Sequence, residues 1–566
     1  MSTEFSAINT LWMLLGAILV FFMQAGFSMV ASGMIRAKNS GNITIKNLLN
    51  VGLCTCFFWL AGFGLLFGTG SGFIGWFDFA VSRDYSAVLP AGIPLSAFFI
   101  FQTMLCATAG TIISGAMAER TRFIPSCIFS AVLSLIIYPI AGHWIWGGGW
   151  LSRLGFLDFA GSAAIHVLGG TAALAGAIIV GPRIGKYGSN GKSQAIPGRN
   201  LTLSALGVFT LWFGWLGLTG CSAGSMGNES ISLAADIIVN TTLAAAFSTC
   251  TVMIMTKIRY GKSDISMTLN GSLAGLVAIS AGCAYVEPLG AVVIGILSGL
   301  LLVPVLELID GKLKVDDPVG AIAVHAVCGA FGTILLGFFS QNGGLLYGGG
   351  LHLLGIQCLG VLAVVAWSGI VSSLAFILLK ETIGLRISPK EEAVGLDAAE
   401  HGLFNQQTDF LSMLNDGVSP VPVTGSVPLE EAVPVSAFTE IDSSDKKLTK
   451  VEIIMKQERF EALKHALTKL GITGMTVTQV FGCGTQKGQT ETEMYRGVEM
   501  DIQLLPKICV EVVVAKIPVV DLINTARQVL YTGHIGDGKI FIYDVENAVK
   551  IRTGETGYDA MQGADE

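Results

Sequence analysis

The sequence predicts a helical membrane protein of eleven transmembrane helices in a five-plus-five inverted repeat, followed by a soluble α+β domain of ferredoxin-like type. Three observations predict it. Of 566 residues, 52% are hydrophobic and only 13% charged, a balance that excludes an ordinary soluble protein. Charged residues are sparse up to about Lys380 and common beyond it, where the long apolar runs stop. Two distant stretches, Asp158-Phe-Ala-Gly-Ser-Ala-Ala-Ile-His166 and Asp317-Pro-Val-Gly-Ala-Ile-Ala-Val-His325, read almost alike.

Apolar runs long enough to cross about 30 Å of hydrocarbon fall near 9–35, 46–68, 92–117, 123–142, 161–181, 201–221, 232–257, 267–283, 288–308, 318–340 and 354–380. The start, Met1 to Thr10, has no basic region before its apolar run, so the first run is expected to be retained as a span. Basic residues gather after the odd-numbered spans: Arg36, Lys38 and Lys46, then Arg120 and Arg122, then Arg183, Lys186, Lys192 and Arg199, then Lys257, Arg259 and Lys262, then Lys312 and Lys314. The intervening loops carry only Arg83 and Arg153. The positive-inside rule puts the N-terminus outside and the C-terminus in the cytoplasm of a bacterial inner membrane. The eleven cysteines, among them Cys54, Cys106, Cys250 and Cys328, show no zinc-type spacing and read as small buried hydrophobes. The formal net charge of −7 mixes a membrane part with a soluble part; no nucleic-acid partner is expected.

Each repeat has Gly three after the Asp, Ala two before the His, a β-branched residue just before the His and Gly four after it. The fifth and tenth spans cross in opposite directions, so the repeats are inverted, a recurring transporter design with its site near the midplane. At 1.5 Å per residue each histidine lies roughly 12 Å deep. Entering from opposite faces, His166 and His325 are expected to meet. A histidine in a membrane span is costly and reads as functional. Two neutral imidazoles in contact can share one proton and pass another along. Trp146, at the outer end of the fourth span, offers a cation–π face, and Ser222 an acceptor. Asp158 is read as capping the fifth span behind them. His143, beside Trp144 at the outer interface, is read as structural.

Residues 1–402 thus form a membrane domain, 403–446 a flexible linker and 447–566 a soluble domain. The linker contains Pro, Val, Ser and acids without periodicity. Beyond it, strands are expected at 448–455, 473–480, 507–514 and 539–545, helices at 458–470 and 519–531, and a polar Gly-rich loop at 482–500. That βαβ–βαβ order is the ferredoxin-like one.

With these motifs in place, residues 9–402 resemble the ammonium transporter family. The match lies in Gly115-Ala-Met-Ala-Glu-Arg120, Trp146-Gly-Gly-Gly149, Asp158-Phe-Ala-Gly161, Asp316-Asp-Pro318 with His325, and Gly384-Leu-Arg386 through Gly395-Leu-Asp397 to His401-Gly402. The resemblance implies a homotrimer with one pore per subunit. It also implies ammonium recruited at an outer aromatic cage (Phe101, Trp146, Ser222), with a proton lost before ammonia passes the two histidines. The family's pore mouth is usually closed by two stacked phenylalanines; those positions are Leu105 and Leu218 here. A sensor that holds ammonium without passing it is therefore the alternative to a transporter. No carbonyl-filter motif of a potassium channel appears.

Residues 447–560 resemble the PII signal-transduction family. The supporting stretches are Gly471-Ile-Thr-Gly-Met-Thr476, Gln486-Lys-Gly488, Tyr495-Arg-Gly497, Leu505-Pro-Lys507, Gly533-His-Ile-Gly-Asp-Gly-Lys539 and Arg552-Thr-Gly-Glu555. The resemblance implies ATP or ADP at Gly484, Gly536, Asp537, Gly538, Lys539, Lys550 and Arg552. It implies Mg and 2-oxoglutarate at Gln486, with Lys507 partnering the ligand's carboxylate. Arg496 matches the loop-tip arginine that plugs the cytoplasmic exit of ammonium channels. The tyrosine that some relatives have modified is Met500 here, a nucleotide-contacting arginine is Thr485, and the loop is two residues longer at Thr492-Glu493. No dedicated catalytic base is seen, so an enzyme is not expected.

Overall fold

The computed structural model describes residues 5–402, 447–456, 459–472, 474–482, 493–495, 498–500, 505–515, 518–531, 537–552 and 554–561. The expected linker, 403–446, lies outside them. They form two compact units.

In the first unit, ten helices among the described residues are long and apolar enough to cross a membrane. They are α1 (Ala7–Met34), α2 (Ala37–Phe67), α3 (Leu95–Ala116), α4 (Phe123–Leu154), α5 (Ser162–Val180), α6 (Leu201–Cys221), α7 (Ser230–Tyr260), α9 (Pro288–Lys312), α10 (Ile322–Phe339) and α11 (His352–Thr382). The apolar run at 267–283 behaves differently. Helix α8 (Ile265–Ile279) has 15 residues, fewer than any of these ten, and stops where the chain turns. It packs mainly against α7 and α9, and the carbonyls of Ser280 and Ala281 then accept the N–H groups of Ala160 and Phe159. The expected run thus ends in contacts with the approach to α5 rather than as helix.

Among the described residues five helices contain a π-helical stretch, and two of these, Ser162–Val167 and Ile322–Val327, are the two histidine segments. The glycines three after each Asp stand just before these two stretches. Gly161 and Gly320 have φ of 96° and 81°, a left-handed geometry that side chains avoid. Each lets the chain turn sharply into its histidine-bearing helix.

The end of the bundle that carries the basic loops is closed by a tail. Helices α12 (Pro389–Val394) and α13 (Leu396–His401) follow α11. Glu392 accepts from the Ile184 N–H, Asp397 from Gly41 and Asn42, and Glu400 from Phe123. Three carboxylates thereby meet free backbone donors at the starts of α2 and α4 and just beyond α5, the kind of group that helix ends leave unpaired.

The second unit is a four-stranded antiparallel sheet of β1 (Leu448–Met455), β2 (Thr476–Gly482), β5 (Leu505–Val514) and β6 (Gly538–Val545) in the order β2-β5-β1-β6. Helices α14 (Phe460–Lys469) and α15 (Val519–Leu530) supply the rest of its core. Val451, Ile453 and Met455 alternate inward against Leu463, Leu467, Leu522 and Ala526, the period-two pattern of a half-buried sheet. Part of the expected loop at 482–500 is instead a two-stranded ribbon of β3 (Glu493–Tyr495) and β4 (Val498–Met500).

Candidate functional site: a buried histidine pair

Each half of the repeat builds its histidine the same way. The Asp158 carboxylate accepts the N–H groups of Gly161, Ala163 and Ala164. The Asp317 carboxylate accepts those of Gly320 and Ile322. These acids satisfy donors at a helix start and suit its positive end. One turn on, the two histidines meet. Nδ1 of His325 lies 3.2 Å from Nδ1 of His166, with ring centroids 5.1 Å apart and planes 24° from parallel. They are 3% and 0% exposed.

A contact between two Nδ1 atoms needs one N–H and one lone pair. The pair therefore holds one proton between its rings and presents one donor and one acceptor at its outer nitrogens. His166 Nε2 is buried and has no partner among the described residues. Trp215 stacks on His166 at 4.8 Å and 15°, held by its own N–H on the Ser280 hydroxyl at 2.9 Å. Phe27 sits 6.1 Å from His325, beside a cavity of about 30 Å³ lined also by Asn47, Thr111 and Asn270. That is room for a water or two. Trp215 and Phe27 are the members that spacing alone did not reveal.

Leu105 and Leu218 are buried, as is Phe101. A side chain on Gly16 would meet both Phe101 and Cys221, the neighbour of Ser222, so Phe101 and the end of α6 converge on α1. Ser222 donates its hydroxyl to the Leu218 carbonyl at 2.7 Å, which leaves its lone pairs to accept. The Trp146 indole N–H donates to the Asp158 carbonyl at 2.8 Å, tying that ring to the approach to α5.

A second cluster is built from residues of the basic loops. Arg36, Arg120 and Arg183 are buried, not splayed in water. Glu119 accepts from Arg36 and, at 2.6 Å, from Arg183. Arg183 also chelates Asp316 at 2.8 and 2.9 Å, and Arg120 reaches the Asp316 carbonyl at 2.6 Å. Burial works against each ion. The guanidiniums of Arg36 and Arg183 outweigh it at Glu119, whose carboxyl is lowered to about 2. Asp316 is held far below the carboxylate range by Arg183 and Arg120. The two adjacent acids Asp316 and Asp317 thus face different tasks: one closes this cluster and the other caps α10.

In the second unit, Gly538 has φ 125°, and a Cβ there would lie 2.1 Å from the Ile454 carbonyl, so only glycine fits. Lys539 follows it, exposed, opposite Ile454, and Asp537 precedes it. Lys550 pairs with Glu555 at 3.1 Å, and Arg552 is exposed in the same turn. The Lys507 stem lies against Gly482, where β5 meets β2. Gly484, Gln486, Arg496 and Gly536 lie outside the described residues.

Comparison with known proteins follows this division. Residues 11–406 match the Ammonium Transporter Family and residues 448–555 match Nitrogen regulatory protein P-II. Ammonium transporter Amt2 of Archaeoglobus fulgidus is 41% identical over 420 residues, covering 70% of this chain and 87% of its own. Ammonium transporter 3 of Dictyostelium discoideum is 36% identical, covering 71% and 95%. Among solved structures, a protein described as Sensor Amt Protein is 40% identical with a TM-score of 0.66, covering 70% and 98%. Saccharomyces cerevisiae Mep2 is 28% identical with a TM-score of 0.64, covering 72% and 94%. By the extent of these matches the chain belongs to the ammonium transporter family, and it carries a P-II domain behind the transporter part.

Proposed function

We propose that this protein moves ammonium across the bacterial inner membrane through the His166–His325 pore and is regulated in cis by its own P-II domain. The observation that supports it is the histidine contact itself. A buried pair with one shared proton accepts a proton at one outer nitrogen, shifts the one between the rings and releases another at the far nitrogen, while neutral ammonia crosses the apolar bore. The ion is stripped of water at Trp146, Phe101 and Ser222 before that step. Leu105 and Leu218 exclude water beneath. In this reading α8 is the eighth of eleven spans, the N-terminus lies outside and the P-II domain lies in the cytoplasm. The strand order β2-β5-β1-β6 supports a ferredoxin-like fold for that domain, and both parts assemble as a homotrimer with one regulator per pore.

Regulation follows from the second unit's chemistry. Glycine backbone and cations suit phosphates. Gly538, Lys539, Lys550 and Arg552, with Gly484, Gly536 and Asp537, would hold ATP or ADP. Gln486 would hold Mg with 2-oxoglutarate, and Lys507 the effector's carboxylate. Bound effector would withdraw Arg496 from the pore exit. The linker of residues 403–446 has a reach of roughly 35 Å as a flexible coil, and tethering keeps the local concentration of the regulator high.

A second reading is favoured by the leucines. Without two phenyl faces the pore mouth attracts a cation less, and one relative of solved structure is described as a sensor. Ammonium-evoked current from full-length protein in liposomes separates the two. A current that rises from ADP to ATP plus 2-oxoglutarate, and that Arg496→Ala makes insensitive to ligand, supports the regulated transporter. Ammonium binding with no current in either condition supports the sensor and overturns transport.

A further inference from the structure

The segment between α2 and α3 turns back along α2 instead of leaving it. Phe67 ends the helix. A Cβ on Gly68 would lie 2.9 Å from the Trp76 carbonyl oxygen, and one on Gly64 would lie 2.8 Å from the Asp78 Cβ. The Ala80 N–H donates to the Leu60 carbonyl at 3.0 Å. The chain from Trp76 to Ala80 therefore descends beside the helix, two residues for every four of α2. That is the match of an extended chain, at about 3.3 Å per residue, with a helix at about 1.5 Å per residue. Five large apolar side chains stand out from this strap. Phe73, Ile74, Trp76, Phe77 and Phe79 are 64%, 38%, 62%, 60% and 62% exposed. We infer that the strap is an interfacial anchor, which seats these side chains at the boundary between acyl chains and headgroups in the phospholipid leaflet at the Trp146 end of the bundle.

The strap is held at both ends. At its start, the Trp150 N–H and the Trp144 indole donate to the carbonyls of Gly72 and Phe73, each at 2.8 Å. In its middle, the Gly75 N–H donates to the Leu65 carbonyl at 3.0 Å. A Cβ on Gly75 would lie 2.7 Å from the carbonyl oxygens of Gly64 and Leu65, so strap and helix meet backbone to backbone. At its end, the buried Asp78 carboxylate accepts the Ser82 and Tyr85 hydroxyls at 2.8 and 2.7 Å and the Arg83 N–H at 3.1 Å. These bonds close a turn in which Ala80 and Val81 have φ of 59° and 52°. A β-branched residue avoids that conformation and keeps it only where its surroundings impose it. The turn stops the descent at Leu60 and leaves Phe77 and Phe79 facing outward.

Depth decides the partner. Helix α2 has 31 residues, which an upright helix stretches over about 46 Å. That is about 16 Å more than the hydrocarbon core. Shared between the two ends, the excess puts the core's edge about 8 Å below Phe67, near Gly62. Asp78 is level with Gly64 and Ala80 with Leu60, so the exposed side chains straddle that edge. Trp and Phe at this level make the aromatic belt of a membrane protein, and an indole suits it with an apolar body and a polar N–H. The crossing stretches of α2 and α4 expose Trp59 and Ile136, and the Phe73 ring lies 6.3 Å from that of Trp150. The strap thus extends an apolar surface that the two spans already present to lipid. Arg83, with its side chain 60% exposed and 3.9 Å from Asp78, can snorkel to the phosphates. On a face open to water, five such side chains together are an aggregation liability.

Fluorescence of the full-length protein in lipid nanodiscs, which leave both faces open to solutes, tests the inference through Trp76. The emission lost on Trp76→Phe is that residue's own share. Its quenching is measured with phospholipids brominated in the upper acyl chain and, separately, with iodide in the water. Brominated lipid should remove about half of the Trp76 emission or more, as for a ring at the acyl boundary, and iodide should remove clearly less. Emission that iodide removes as well as or better than brominated lipid puts the strap in water and overturns the inference. Emission that neither quencher touches means that protein covers the strap, a second copy of the chain for example, and overturns it as well. Phe79→Trp serves if Trp76→Phe does not fold. Its added emission should follow the same pattern, with the same two results against the anchor.

Discussion

The two halves of the repeat share a backbone and differ in what surrounds it. Both have a capping Asp, a left-handed glycine, a π-helical stretch and a histidine. The residue before the Asp is Leu157 in one half, with its N–H on the Gln357 amide oxygen. In the other half it is Asp316, locked into a buried charge cluster. The first histidine stacks on an indole, and the second borders a small cavity. Duplication sets the distance between the rings. The unlike neighbours give the pair a direction, with one dry nitrogen on the Trp215 side and space for water on the other.

The largest effect should come from the feature that only the second half has. Asp316→Asn leaves Arg183 with half of its carboxylate partners in a dry site, and breaking such a pair costs about 3–5 kcal/mol. Thermal unfolding in detergent should fall sharply, whereas Leu157→Met should shift it little. If the two variants are equally stable, the asymmetry is cosmetic.

The glycines four after each histidine sharpen the comparison. A methyl on Gly170 would sit 2.3 Å from the Ala326 backbone nitrogen, but one on Gly329 only 3.0 Å from the Ser162 carbonyl. Gly170→Ala should cost about 1–3 kcal/mol as overpacking, and Gly329→Ala under about 1 kcal/mol. Denaturation midpoints would show it, and a reversed order would mean that the half-helices approach differently.

Smaller still is the difference between caps. Losing one costs about 1 kcal/mol, and Asp158 is buried whereas Asp317 is partly exposed, so water can replace more of what Asp317 supplies. Asp158→Ala should therefore unfold at a lower temperature than Asp317→Ala. The smallest effect expected is from acid. Glu119 is lowered from its ordinary 4.5 to about 2, so its stabilisation is complete above the unfolded value and is lost only as pH falls through the folded one. Between pH 5 and 7 the difference in unfolding temperature between wild type and Glu119→Gln should stay constant; a difference that shrinks by pH 5 would mean that the guanidiniums do not hold the charge.

Much of this was legible in the residues. A repeat of Asp, Gly and His at fixed spacing needs no structure to be seen, and its meeting point follows from the inversion. The alternation of Leu448 to Met455 gave that strand to the residue. What stayed hidden depends on partners far along the chain. Arg36, Arg120 and Arg183 look like loop charges until Glu119 and Asp316 arrive from other loops to pair with them. Helix α8 ends at Ile279, and the carbonyls just beyond it serve the approach to α5, which no local pattern records. The expected gate leucines and the stacked Trp215 are equally apolar on paper; only packing separates lining from support.

One consequence concerns mechanics. The tail that ends at Gly402 is fastened by Glu392, Asp397 and Glu400 to backbone at three separate places, the ends of α2, α4 and α5. These anchors reach three separate places on the bundle, so losing any one of them leaves the other two holding the tail. Release of the tail therefore requires several carboxylates to let go of backbone donors together, each giving up a bond of about 1–2 kcal/mol.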